Sequence, residues 1–121
     1  MYSRKRYETL IDQVKSYVQE NYHRCDLSMN QISDHVNMSA AYLGRIFKQV
    51  TGATFTEYLT EFRLDCSCRL LREDSMTVNE ISDAVGFTNS SYFYIIFKKN
   101  FGCTPSQYRR QHDHSVESAG A

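Results

Sequence analysis

The chain has 121 residues, 41% of them hydrophobic, enough for one compact domain or two very small ones that share a core. One Pro and 5 Gly favour helices over a turn-rich β fold, and no apolar run approaches the roughly 20 residues that a membrane span needs. A net charge of zero argues against the indiscriminate nucleic-acid binding of a strongly basic chain, though not against a local basic face.

Taken in chain order, the predicted elements are all helical. Residues 5–22 carry Tyr7, Leu10, Ile11, Val14 and Val18 at helical spacing, with Asp12, Lys15, Gln19 and Glu20 between them, which predicts one amphipathic helix. Ser28 is an N-cap candidate for the short helix "MNQISDHV", which Asn37 breaks. Ser39 then caps "AAYLGRIFKQV", and Gly52 stands where a helix C-terminus favours a left-handed residue. From Phe55 to Asp74 no Gly or Pro intervenes, and Phe55, Tyr58, Leu59, Phe62, Cys66 and Leu70 follow helical spacing. A continuous linking helix is expected there, about 28 Å long at 1.5 Å per residue. Thr77 caps "VNEISDAV", with Gly86 in the place of Asn37; Thr88 or Asn89 caps "SSYFYIIFKKNF", which Gly102 ends. Thr104 and Pro105 read as an N-cap followed by Pro at the first helical position of "PSQYRRQH".

The second half of this list repeats the first. Asn30, Ile32, Ser33, Asp34 and Val36 recur as Asn79, Ile81, Ser82, Asp83 and Val85. Past a one-residue insertion near Asn89, Tyr42, Ile46, Phe47, Lys48, Gly52, Thr54 and Tyr58 recur as Tyr92, Ile96, Phe97, Lys98, Gly102, Thr104 and Tyr108. This is an internal repeat. Its unit is a short helix, a turn through a residue that tolerates positive φ, and a second capped helix carrying cations, which describes a helix-turn-helix. The expected fold is all-α, about seven helices, with two helix-turn-helix units joined by a long linking helix. The expected boundaries are 1–53 for the N-terminal helix and first unit, 54–73 for the linking helix, 74–112 for the second unit and last helix, and 113–121 for a disordered tail.

Charge is segregated in the same pattern. From Ser39 to Gly52 the charged residues are Arg45 and Lys48; from Thr88 to His112 they are Lys98, Lys99, Arg109 and Arg110, with no carboxylate in either stretch. In a helix-turn-helix the second helix enters the DNA major groove, and two units reach half-sites about 34 Å apart. The linking helix is close to that length, so two reading helices in successive major grooves of double-stranded DNA are expected. Helical phase turns Leu43, Ile46, Phe47 and Val50 inward and Ala40, Ala41, Gly44, Arg45 and Lys48 outward. In the second reading helix Phe93, Ile96 and Phe97 point inward, and Ser90, Ser91, Tyr94 and Ile95 face out with Lys98 and Lys99 beyond. Tyr42, Tyr92, Ile32 and Ile81 are assigned to the core. An outward Tyr94–Ile95 pair either packs against thymine methyls and sugars or serves the fold or a partner. A helical protein-interaction module is the rival reading.

The stretches "LSMNQISDHVNMSAAYLGRIFKQVTGATFTEYLTEFRLDCSCRLLRED" and "VGFTNSSYFYIIFKKNFGCTPSQYR" resemble the DNA-binding domain of AraC/XylS-type bacterial transcription regulators over about residues 7–110. The resemblance implies seven helices and sequence-specific binding to asymmetric sites. It places base contacts on Ala40, Ala41, Gly44, Arg45, Ser90, Ser91, Tyr94 and Ile95, and backbone contacts on Ser39, Lys48, Arg63, Asn89, Lys98 and Lys99. Ile95 stands where a basic or polar residue is common in the family, and small residues fill the first reading helix. The resemblance further implies an effector or receiver domain on the N-terminal side of a longer, cytoplasmic regulator, with RNA polymerase as a further partner.

No catalytic residue set, phosphate-cradling loop or cofactor motif is evident, so neither an enzyme nor a bound cofactor is expected. Cys25, Cys66, Cys68 and Cys103 form no CxxC pair and read as free thiols. His23, His35, His112 and His114 are assigned no function.

Overall fold

Seven α-helices and no strand make up residues 2–112, which the computed structural model describes: α1 Tyr2–Asn21, α2 Met29–His35, α3 Ala40–Thr51, α4 Phe55–Glu73, α5 Val78–Ala84, α6 Ser90–Phe101 and α7 Pro105–Gln111. The tail expected over 113–121 lies outside the described residues. The chain divides into two compact units, the first ending at Phe62 and the second beginning at Arg63, so the division falls inside α4.

Side-chain caps start α3 to α7, and glycines end α3 and α6. The Ser39 hydroxyl accepts from the Tyr42 N–H at 3.2 Å, and the Asn89 side-chain oxygen accepts from the Tyr92 N–H at 3.1 Å. Thr77 with Glu80 and Thr104 with Gln107 form reciprocal capping boxes, each of which satisfies two backbone donors that a helix start leaves open. Thr54 and Glu57 make the same pair of bonds at the start of α4, at 3.1 and 2.8 Å. Ser28 occupies the N-cap position of α2 with extended backbone, but its side chain makes no capping bond. Gly52 and Gly102 end α3 and α6 at φ 83° and 79°, their N–H groups donating to the carbonyls of Lys48 and Lys98 at 2.8 Å.

The turn inside each helix pair is the same turn. Asn37 sits at φ 58° and Gly86 at φ 103°, where Asn and Gly are the tolerated residues. The Met38 N–H donates to the Ser33 carbonyl and the Phe87 N–H to the Ser82 carbonyl, both at 3.0 Å.

Each unit has its own core. In the first, Ile11, Val14, Val18, Leu27, Ile32, Leu43, Ile46, Phe47, Phe55 and Leu59 form one buried cluster. In the second, Leu64, Cys68, Leu71, Ile81, Val85, Phe87, Phe93, Phe97 and Pro105 are buried. Packing repeats along with sequence: Phe47 meets Tyr58 edge to face at 5.4 Å, and Phe97 meets Tyr108 edge to face at 5.7 Å. Contacts of this geometry contribute about 0.5–1.5 kcal/mol beyond the area they bury.

Several expected core placements need correction. Tyr42 and Tyr92, assigned to the core, are 39% and 52% exposed, and Val50 is 38% exposed. Phe47 and Phe97 already fill the inward side, which leaves the tyrosines on the flank. Ile96 is half-buried. The apolar stripe expected to continue along α4 through Cys66 and Leu70 instead runs through Leu64, Cys68 and Leu71, with Ser67 also buried. The two halves of α4 serve separate cores, so a single stripe does not describe both.

Candidate nucleic-acid interface

The reading helices α3 and α6 are fixed from behind. Leu43, Ile46 and Phe47 hold α3, and Phe93 and Phe97 hold α6. At 100° per residue, the side opposite Phe93 and Phe97 is centred on Ile95. The equivalent position of the first unit is Arg45. Around Arg45 lie exposed Ser39, Ala41, Tyr42 and Lys48; around Ile95 lie exposed Asn89, Ser91, Tyr92, Lys98 and Lys99. Ala40, Gly44, Ser90 and Tyr94 are half-buried along the edges of these faces.

On α3, the Arg45 guanidinium lies 5.7 Å from the centre of the Tyr42 ring, near enough for a cation–π contact that limits where it swings. The Tyr42 hydroxyl is 3.5 Å from that of Tyr7. A Cβ built on Gly44 would meet nothing within 4 Å, so the protein's own packing does not demand glycine there. Among the described residues no carboxylate pairs with Arg45, Lys98 or Lys99, which leaves these cations available to an external anion. Lys98 and Lys99 also stand in the last turn of α6, where the helix dipole favours them.

Three cationic side chains belong elsewhere. Arg63, expected to contact the DNA backbone, is 9% exposed with its guanidinium 5.8 Å from the Phe87 ring centre; burial against an aromatic face takes it off the outward surface. The Arg109 Nε donates to the Leu71 carbonyl and its Nη2 to the Asp74 carbonyl, both at 3.1 Å, tying α7 to the end of α4. Arg72 Nη1 donates to the Tyr108 hydroxyl at 2.7 Å. A polar groove in the first unit, lined by Asp12, Glu20 and His35 among others, contains two carboxylates and no Lys or Arg, a charge balance that disfavours phosphate.

Shifted ionisations are found in the scaffold. Burial pushes the Cys68 thiol up against a lowering hydrogen bond from Tyr108, and burial also raises Tyr108 against the bond from Arg72. The bond to Tyr108 raises Arg72 further above its ordinary value. Hydrogen bonds from the Thr54 backbone and hydroxyl lower the Glu57 carboxyl. Among the described residues no group of three or more His, Cys, Asp or Glu could hold a metal ion, and no helix is long and apolar enough to cross a membrane.

The outward residues that sequence reasoning missed are Tyr42 and Tyr92. The signal was available: each lies three residues before the centre of its reading face, which places it on the outer half of the helical wheel.

A family model described as a helix-turn-helix domain matches residues 32–111. The chain is 35% identical over 101 residues to the Msm operon regulatory protein of Streptococcus mutans, covering 84% of this chain and 36% of that protein. Among solved structures it is similar to the C-terminal domain of AraT, a response regulator from Geobacillus stearothermophilus, at 32% identity and TM-score 0.82 over 86% of each chain. It is also similar to a transcriptional regulator with an AraC-type DNA-binding domain from Chromobacterium violaceum, at 28% identity and TM-score 0.80, covering 87% of this chain and 93% of that one.

Proposed function

The chain belongs to the AraC/XylS family of bacterial DNA-binding transcription regulators, and from that premise we propose which residues read DNA and how the two units divide the task. Helices α3 and α6 each enter a major groove, in successive grooves along the duplex. Base edges face Ala40, Ala41, Gly44 and Arg45 in one groove and Ser90, Ser91, Tyr94 and Ile95 in the other. Ser39, Lys48, Asn89, Lys98 and Lys99 hold the flanking phosphates. Arg63 is left out, being buried against Phe87. The carrying observation is that one arrangement occurs twice: a capped helix anchored by phenylalanine, with an outward face that bears cations and no carboxylate.

Phosphate contacts position such a domain and base contacts specify its sequence. Arg45 suits a bidentate contact to guanine, while Ala41 and Gly44 permit close approach. The regulator acts in the cytoplasm, with an effector or receiver domain in a longer protein and RNA polymerase as a further partner. Domain organisation follows the function: residues 1–53 and 74–112 carry the two reading units and 54–73 link them.

Selection of random duplex DNA on this domain at moderate salt, followed by sequencing, tests the proposal. Two short motifs at a fixed separation are expected, with affinity falling steeply as salt rises. A single motif would leave one unit holding backbone only. No enrichment would overturn the proposal in favour of a protein-interaction module.

A further inference from the structure

Ile95 is 66% exposed, the most exposed large hydrophobic residue among those described, and it lies opposite the fully buried Phe93 and Phe97. Neither the core nor the helix asks for it. A β-branched residue lowers helix propensity slightly, and an exposed aliphatic group gains nothing from water. Its surroundings are cationic and polar: Asn89, Ser91, Lys98 and Lys99 are exposed around it, and no carboxylate occurs from Thr88 to His112. An apolar centre inside a polar rim also occurs in protein interfaces, but here the charged residues of the rim are all cations, with no carboxylate among them, which suits a partner that surrounds its apolar contact with phosphates. The DNA major groove is such a partner, where the base edges form a floor between two rows of phosphates.

Deepening the DNA-binding reading, on which this step rests, we propose that Ile95 reads thymine through its C5-methyl group, so that the second unit selects A·T pairs by apolar contact while the first selects guanine by bidentate hydrogen bonding from Arg45. An isoleucine side chain has no hydrogen-bond donor or acceptor. Pressed against G, A or C it would strip water from N7, O6, N6 or N4 and return nothing, and leaving such a group unpaired is costly. Thymine alone presents an apolar group in the major groove. Discrimination therefore comes from two directions, a small gain at thymine and a penalty at the other bases. Ser91, nearest to Ile95 in helical phase on its N-terminal side, supplies a hydroxyl to a neighbouring edge, and Lys98 and Lys99 set the depth by holding phosphate.

The test uses the duplex returned by selection. Each thymine is replaced singly by deoxyuridine, which deletes the C5-methyl and keeps the base pair. Affinity is measured by fluorescence anisotropy for the wild type and for Ile95→Ala, after thermal unfolding has verified that the variant keeps its fold. The wild type is expected to lose about fourfold in affinity at one or two thymines, the worth of one buried methyl group. Ile95→Ala is expected to bind thymine and deoxyuridine equally at those positions. Restoring the methyl on a different base, by placing 5-methylcytosine where cytosine has replaced one of these thymines, should recover part of the loss for the wild type only. Equal wild-type affinity for deoxyuridine at every position would overturn the assignment and leave guanine readout by Arg45 intact. A methyl effect that persists in Ile95→Ala would also overturn it, by moving the contact to another residue. Absence of any selected sequence would overturn the DNA-binding reading itself, and this one with it.

Discussion

The two reading units share a scaffold and differ at its business face. Both have the same positive-φ turn, a side-chain cap on the reading helix and an edge-on phenylalanine–tyrosine pair behind it. Yet Arg45 in the first unit corresponds to Ile95 in the second, and Gly44 corresponds to Tyr94. Residues that the fold requires are duplicated, while the residues that face outward have diverged. Duplication with divergence at the surface keeps one way to hold a helix and gives the two outward faces different chemistry.

The comparison breaks most severely if one scaffold is removed. Phe97→Ala deletes a fully buried ring that touches Phe93, Phe101 and Tyr108, and core truncations of this kind cost about 3–5 kcal/mol. Hydrogen exchange should show protection lost across α5 to α7 and largely kept in α1 to α3, because the first core contains none of these rings. Equal loss in both units would mean that they unfold as one.

A smaller break separates the units by their fastenings. Arg109 bonds two carbonyls at the end of α4, whereas the equivalent residue of the first unit is Leu59, buried in the core. Arg109→Ala is expected to destabilise by roughly 1.5–3 kcal/mol, the range for hydrogen bonds to a charged group, read by urea denaturation. Arg110→Ala, at an exposed neighbour, should change stability little. Equal effects from the two would remove the fastening role.

These examples show which parts of the molecule were legible in its sequence. The caps at Ser39, Asn89, Thr77 and Thr104, and the turns at Asn37 and Gly86, were legible because each is decided within three or four residues by a hydrogen bond or a φ value. The same local logic could have found the Thr54–Glu57 box, which repeats Thr104–Gln107. Arg63 and Arg109 were not legible: both sit among charged neighbours in sequence, and only the folded second unit brings Phe87 to one and the end of α4 to the other. Tyr42 and Tyr92 were misplaced because an aromatic residue beside the apolar phase was read by its type. The stripe along α4 failed for a different reason, since helical periodicity assumes one core per helix and this helix feeds two.

At the interface the comparison sharpens into specificity. Arg45→Ala is expected to cost roughly 1–3 kcal/mol at its guanine, leaving selectivity in the other half of the site intact, as measured by binding to single-base variants. Loss of equal size on every sequence would make Arg45 a phosphate contact. Lys98→Ala is the control: affinity should fall evenly across sequences, with the salt slope reduced by about one. An unchanged slope would take Lys98 out of the interface.

The smallest expected difference lies in two capping boxes that differ by one atom type. Glu57 closes the box with Thr54 at the start of α4, and Gln107 closes its counterpart with Thr104 at the start of α7. The bonds from Thr54 lower the Glu57 carboxyl below its usual value, so its contribution to stability is fully present above the ordinary carboxylate range. That contribution is lost as pH falls through the lowered value. Gln107 does not titrate, so the second box keeps its bonds in acid. In an NMR titration downward from pH 6, the Thr54 amide resonance should move as its acceptor is protonated, while the Thr104 amide stays in place. Glu57→Gln should abolish the movement at Thr54 and make the two boxes alike. Parallel movement of both amides in the wild type would trace the change to the helices rather than to the carboxylate.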